Sequence, residues 1–191
     1  MQRKTDTFKL AFLGILSAIV FVLQFFVKIP LGGFTISVSL AVIVLAAVLY
    51  GFAGGALIGG VSAVAILLNG DAALFYAFSY FLTVLVVLLK GIASGLAAAA
   101  VYKMLRKFNK YVAIVVAAIV APIVNTGIFF LGSITFFYSD IQAMAGGTNV
   151  VVYVLVFFIG FNFFVELIAN VILAPVITRL IQMIPSTQKR F

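Results

Sequence analysis

The sequence contains no cysteine, no histidine and no tryptophan, and only four of its 191 residues are acidic. The absence of cysteine and histidine excludes disulfides and thiol chemistry and removes the commonest transition-metal ligands. No metal site and no cofactor are therefore predicted. A Gly-x-x-x-x-Gly-Lys-Ser/Thr phosphate loop is also missing, so the chain is not expected to hydrolyse ATP itself.

Charged residues are scarce as well, at 8% of the chain against 66% hydrophobic residues. Soluble domains are about half apolar and about a quarter charged, so this composition predicts an integral membrane protein. We expect one membrane domain over residues 1–191. The net charge of +8 does not indicate nucleic-acid binding, because the basic residues lie at the chain ends and in one short loop.

The apolar runs predict an all-α fold with six transmembrane helices, since about 20 helical residues cross the hydrocarbon core. The predicted helices are residues 7–27, 36–50, 54–68, 82–105, 111–138 and 150–183. The second and third are short and nearly contiguous, which favours a tight helical hairpin at Gly51–Gly54. Residues 28–35 are predicted as a turn-rich break, and Pro175 is expected to bend the end of the last helix.

The basic residues predict which end of the bundle faces the cytoplasm. Most of them lie near the start of the first helix, around the connection between the fourth and fifth helices, and near the end of the sixth helix. The central cluster comprises Lys103, Arg106, Lys107 and Lys110. With six spans, both termini and this loop fall on one side of the membrane. The positive-inside rule then places both termini in the cytoplasm.

Polar residues within the later helices predict a solute site. Asn162, Glu166 and Asn170 are four residues apart and share one face of the last helix. Lys90, Asn125 and Asn162 lie roughly 12 to 20 Å below the outer surface, and Glu166 lies about 6 Å deeper, at 1.5 Å per residue. Because such groups are costly in lipid, they usually face a protein interior or a water-filled cavity. We therefore predict that this stripe lines a solute-binding cavity.

Structural roles are the alternative for each of these residues. Lys90 and Glu166 are able to neutralise each other as an internal ion pair, and Lys90 is able to extend towards the outer surface. Asn125 is able to compensate for the helix defect created by Pro122. These alternatives stay open at the level of sequence.

The outer connections predict further solute contacts. Phe34, Tyr80 and Tyr138 lie in or beside the glycine- and aromatic-rich segments that follow or precede the helices, and each offers a ring to a solute. Their alternative role is that of interfacial aromatic residues, which are enriched at both surfaces of a membrane.

Small residues in the first helix indicate a helix-packing face. Gly14 and Ala18 have small-xxx-small spacing, and Ala11 lies one turn before Gly14. Such a face lets a second helix approach closely. That second helix belongs either to this chain or to a partner.

These features together resemble the S components of energy-coupling factor (ECF) vitamin transporters. The resemblance covers nearly the whole chain and depends on four segments, which are Ala11-x-x-Gly14-x-x-x-Ala18, Tyr50-Gly51-Phe-Ala-Gly54-Gly55, Pro122-Ile-Val-Asn125-Thr126-Gly127, and Asn162-x-x-x-Glu166-x-x-x-Asn170 with Pro175. It implies a multi-pass protein of a prokaryotic plasma membrane that binds a vitamin from outside, in a pocket of helices 4 to 6 capped by loops. It also implies docking through helix 1 on a transmembrane scaffold that carries two cytoplasmic ATPases.

The resemblance suggests a solute without fixing it. Riboflavin-specific members have an Asn-x-x-Lys pattern in the last helix, whereas here Val165 stands three residues after Asn162. The Asn125-Thr126 segment is more similar to members that bind pantothenate, whose carboxylate would lie at Lys90. Pantothenate is thus the first candidate and riboflavin the second. A self-sufficient small transporter is the competing class, and a membrane-embedded enzyme is disfavoured because only Glu166 and Lys90 could supply acid–base chemistry.

Overall fold

The computed structural model describes residues 2–31 and 34–183, with side chains described for 7–27 and 38–183. Helices dominate the chain. They are α1 (Gln2–Phe26), α2 (Ser39–Leu68), α3 (Ala73–Tyr76), α4 (Tyr80–Leu105), α5 (Lys110–Phe136), α6 (Tyr138–Met144), α7 (Val150–Tyr153) and α8 (Gly160–Met183), with a π-helical segment (Val154–Ile159) between α7 and α8.

Five of the described segments are long and apolar enough to cross a membrane. Four of them match predicted helices closely, namely residues 7–26, 80–105, 110–136 and 150–183. The fifth, Ser39–Leu68, contains both short helices that were predicted at 36–50 and 54–68. Within the described residues, six separate spans are therefore not observed.

The chain nevertheless folds back inside α2, at Gly51. This residue has φ 65° and ψ −149°, a backbone conformation that is essentially restricted to glycine. The Ser62 hydroxyl lies 3.3 Å from the Ser39 hydroxyl, although the two residues are 23 apart in sequence. A straight helix would separate them by roughly 35 Å. The two arms of α2 thus pack side by side, as the hairpin prediction required.

Glycines join α4 to the second arm of α2. A Cβ added to Gly55 would lie 2.8 Å from the Gly95 carbonyl carbon, and one added to Gly59 would lie 2.8 Å from that of Gly91. The two backbones therefore touch at both pairs, which side chains would prevent. We call these two pairs, Gly55–Gly95 and Gly59–Gly91, the glycine contact. It fixes the position of Lys90, which directly precedes Gly91.

Residues 28–37 form more than the predicted turn. Strands β1 (Lys28–Leu31) and β2 (Phe34–Ser37) pair antiparallel, with Ile29 opposite Ile36. The all-α fold class still describes the chain, and this short antiparallel strand pair is a feature that the sequence analysis did not predict. Ile29–Leu31 and Phe34–Ser37 contain β-branched and aromatic residues, which favour extended strands. The glycines between them indicated only a turn in the sequence.

The last span also differs from its prediction as one continuous helix. The π-helical segment ends at Gly160, which has φ 30° and ψ −132°. Pro175, where the bend was expected, lies within α8. The break therefore occurs near the start of α8, beside the residues that line the cavity described below.

Two lysine–aromatic contacts identify one end of the bundle. Lys9 Nζ lies 5.8 Å from the Tyr50 ring centroid, and Lys103 Nζ lies 5.5 Å from that of Phe52. The start of α1, the Gly51 turn and the end of α4 therefore share this end, which we call the basic end. The opposite end, where Asn69 Nδ2 donates to the Gln24 carbonyl over 2.9 Å, we call the cavity end.

Candidate substrate-binding site

A cavity of about 330 Å³ lies at the cavity end of the bundle. This volume is at the lower end of the range for small-molecule sites, which is roughly 300 to 1,000 Å³. Its wall includes residues from α1, both arms of α2, α3, α4, α5, the π-helical segment and α8. The polar lining residues are Gln24, Ser39, Ser62, Asp71, Thr83, Lys90, Asn125, Thr126, Asn162 and Glu166.

The cavity brings together four of the residues that the sequence singled out. Lys90 from α4, Asn125 from α5, and Asn162 and Glu166 from α8 all line it. Three separate helices thus place an ammonium, two carboxamides and a carboxylate around one space. That these groups contact a solute stays a prediction.

Lys90 has a mixed environment. Its Nζ lies 5.2 Å from the Phe129 ring centroid, within cation–π distance. The carboxylates of Glu166 and Asp71 line the same cavity. Lys90 therefore shares the cavity wall with an aromatic ring and two acidic groups.

Asn125 connects α5 to α4. Its Nδ2 donates a long hydrogen bond of 3.4 Å to the Lys90 carbonyl. The side chain therefore reaches a neighbouring helix and does not serve only to repair the backbone near Pro122, which was its alternative role. The Asn125 carboxamide and the Lys90 backbone are held together at the cavity.

The polar stripe of α8 divides at Glu166. Asn162 and Glu166 line the cavity, but Asn170 is fully buried and its Nδ2 donates back to the Glu166 carbonyl over 2.8 Å. Among the described residues, its Oδ1 has no hydrogen-bond partner. The expectation that the whole stripe lines the cavity is thus corrected for Asn170, whose role lies in helix packing.

A cluster of phenylalanines forms part of the cavity wall. Phe75 from α3 lies with its ring centroid 5.3 Å from Phe129, 5.4 Å from Phe137 and 5.5 Å from Phe158. All four residues line the cavity. A solute held here meets both hydrogen-bonding groups and aromatic rings, so the site suits a molecule with both polar and apolar parts.

Two of the three loop aromatics that were predicted to contact a solute do not line the cavity. Tyr80 is 70% exposed and Tyr138 is 47% exposed, and neither lines the cavity. Their exposure agrees with the alternative role of interfacial aromatics. Phe34 belongs to β2, but its side chain lies outside the described residues.

Sequence reasoning missed several polar lining residues, and Asp71 is the most consequential. Asn69-Gly70-Asp71 has the composition of an ordinary turn, so its sequence alone does not indicate a cavity residue. Ser39, Ser62, Thr83 and Thr126 carry short hydroxyl side chains that give no periodic signal in apolar helices. Thr83, for example, donates to the Phe75 carbonyl over 2.8 Å and so links α4 to α3.

The small residues of α1 point away from the bundle. Ala11, Gly14 and Ala18 are all exposed, whereas Leu13, Leu16 and Val20 of the same helix are buried. A Cβ added to Gly14 would meet no atom within 4 Å among the described residues. The alternative of internal packing for this face is therefore not observed, and we call Ala11, Gly14 and Ala18 the small-residue face.

Comparison with protein families decides the family. The model of the ECF transporter substrate-specific component matches residues 8–178, which is most of the chain. The chain belongs to this family. No curated protein and no solved structure gave a match. As an S component, the chain is a multi-pass membrane protein and a substrate-binding subunit of a transporter, not an enzyme.

Proposed function

We propose that this S component captures a water-soluble vitamin in its cavity and delivers it through an ECF module. The observation that carries the proposal is the convergence of Lys90, Asn125, Asn162 and Glu166 on one cavity of about 330 Å³. These groups offer hydrogen-bond donors, acceptors and charges of both signs to a solute within an otherwise apolar bundle, as small-molecule sites do. The ATP hydrolysis that drives delivery belongs to partner subunits.

The proposed membrane arrangement has six crossings within a single domain, residues 1–191, because each arm of α2 counts as one. The basic end faces the cytoplasm together with both termini, in agreement with the positive-inside rule. The cavity end then opens to the outside of a prokaryotic plasma membrane. This arrangement lets the S component collect its solute before it meets the energised module.

Pantothenate is the first proposed solute and riboflavin the second. The carboxylate of pantothenate would lie at Lys90, and Asn125 and Asn162 would bind its hydroxyl and amide groups. Mass spectrometry of the small molecule that remains bound after mild purification is the direct test. Calorimetric titration with both vitamins should follow, and an absence of heat with pantothenate would discard that choice.

The proposed partners are a transmembrane scaffold subunit and two cytoplasmic ATPases. Co-expression with such a module should allow the S component to be purified together with it, and uptake into liposomes should require the module and ATP. Solute movement by the purified chain alone would instead identify a self-sufficient transporter, which is the competing class.

Docking is proposed to use the small-residue face of α1. Replacing Gly14 or Ala18 with leucine is expected to reduce ATP-driven uptake and co-purification by at least about tenfold, because a bulky side chain prevents close helix approach. Solute binding should change less than about twofold, since this face points away from the cavity. Ala143→Leu, the same change at an exposed position of α6, is the matched control. Unchanged uptake in the α1 variants would refute the docking assignment.

A further inference from the structure

Asp71 is a second acidic residue on the cavity wall that the proposed solute contacts do not use. It lies in the turn between α2 and α3, on the outer side of the site, whereas Glu166 lies on α8. Its carboxylate acts electrostatically on Lys90, as Glu166 does. Two carboxylates thus share the cavity with one ammonium.

Asn69 orients the Asp71 carboxylate. Asn69 Nδ2 donates to Asp71 Oδ2 over 2.9 Å, and the Asp71 backbone N–H donates to Asn69 Oδ1 over 2.9 Å. The same Nδ2 donates to the Gln24 carbonyl of α1, also over 2.9 Å. These bonds use one oxygen of the carboxylate and fix its direction, so Asp71 is held in place at the cavity and not left to move with the turn.

The charges of the residues that line the cavity determine how the Asp71 carboxylate affects a bound solute. Among the described residues that line the cavity, Lys90 is the one cation, and Asp71 and Glu166 are the two acidic groups, which gives a formal balance of −1. In a partly buried site these charges are weakly screened, so an ionised solute group at Lys90 also feels both carboxylates. A hydroxyl or amine, in contrast, donates favourably to a carboxylate.

We propose that Asp71 is a specificity-determining residue of this S component. Its carboxylate accepts a hydrogen bond from a hydroxyl or amine group of the solute, and its negative charge lowers the affinity for anionic solutes relative to their uncharged analogues. Asn69 acts as the positioning residue that orients it. This inference rests on the proposed function, because it assumes that the cavity binds the transported solute.

The test compares solutes that differ in one anionic group. Calorimetry on the purified full chain would measure the affinities for pantothenate and its uncharged alcohol analogue pantothenol, and for riboflavin 5′-phosphate and riboflavin. In Asp71→Asn, the uncharged member is expected to bind about tenfold more weakly, because a hydrogen bond to a charged acceptor is lost. The anionic member should lose less or gain affinity, so the preference for the anion should rise about tenfold.

Two variants control the interpretation. Asp140→Asn removes a carboxylate from α6, outside the cavity, and should leave the preference unchanged. Asn69→Ala keeps the charge of Asp71 but removes its orientation, so both members should weaken about equally. If Asp71→Asn fails to fold, Asp71→Ser provides the same change of charge with a smaller side chain.

The outcomes separate the two proposals. An anion preference that stays within twofold of wild type in Asp71→Asn or its substitute would overturn the role of Asp71 while leaving the proposed function intact. The role of Asp71 would also be overturned if Asp140→Asn changed the anion preference as much as Asp71→Asn does. If neither member of either pair binds wild-type protein, the proposed solutes are wrong and the inference falls with them.

Discussion

Replacing Lys90 with methionine is expected to weaken the binding of an anionic solute by about a hundredfold. Methionine keeps the length and apolar contacts of the side chain, including those near Phe129, but removes the cation. A hydrogen bond to a charged group contributes up to about 3 kcal/mol, which corresponds to this factor. Calorimetric titration of the purified variant with pantothenate measures it.

The same substitution should also lower stability, because Asp71 and Glu166 then lose the cation that shares the cavity with them. Removing one partner of a buried charge cluster typically costs about 3 to 5 kcal/mol, and the partial exposure of these groups places the expected loss at the lower end. Adding Glu166→Gln removes one of the two carboxylates. The double variant should regain much of the stability without regaining affinity.

This double variant separates the two roles left open for Lys90. If Lys90 served only as the internal partner of Glu166, the double variant would bind the solute as well as Glu166→Gln alone does. Lys103→Met provides the matched control, since Lys103 lies on the same helix but contacts Phe52 at the basic end. Its affinity should equal that of wild type.

The second large effect is expected from Gly59→Ala, and it contrasts with Gly60→Ala at the next position. The Cβ added to Gly59 would lie 2.8 Å from the Gly91 carbonyl carbon, which is backbone and is not able to rotate away. The Cβ added to Gly60 would meet only the Ile92 Cγ1, at 3.7 Å, an ordinary contact among the described residues. We expect Gly59→Ala to lower the free energy of unfolding by about 3 kcal/mol.

Gly60→Ala should be neutral or stabilise the helix by up to about 1 kcal/mol, because alanine is the better helix former. Gly59→Ala should also weaken solute binding, since Gly91 is adjacent to Lys90 and any separation of α2 from α4 displaces the ammonium. Thermal unfolding in detergent and calorimetry would measure both quantities. Equal stability of the two variants would show that the glycine contact is looser than described.

Much of the helical framework could be predicted from the sequence, because apolar length and glycine placement are local signals. The hairpin within α2 follows from two short runs separated at Gly51, and the convergence of Lys90 and Asn162 follows from counting residues along helices. Polar residues in a membrane-length helix have few acceptable surroundings, so their shared depth was informative.

The rest required contacts between distant parts of the chain. Asp71 lies in a turn, where an acidic residue is ordinary, and its place on the cavity depends on how α3 folds over α4. Asn170 continues the four-residue spacing of Asn162 and Glu166. Helix periodicity predicts which face of the helix a residue lies on, but not which neighbouring helix packs against that face. Tyr80 could not be assigned either, since an aromatic ring near a membrane surface suits lipid and solute equally.

The hydrogen bond from Asn69 to the Gln24 carbonyl gives α1 a double role. The cavity end of this helix is hydrogen-bonded to the turn after α2, while its small-residue face is exposed. A scaffold that grips this face and tilts α1 would pull on the same turn that carries Asp71. Docking at α1 and release of the solute would then be coupled. A substitution that strengthens the contact between α1 and Asn69 should therefore slow solute release and lower the rate of transport.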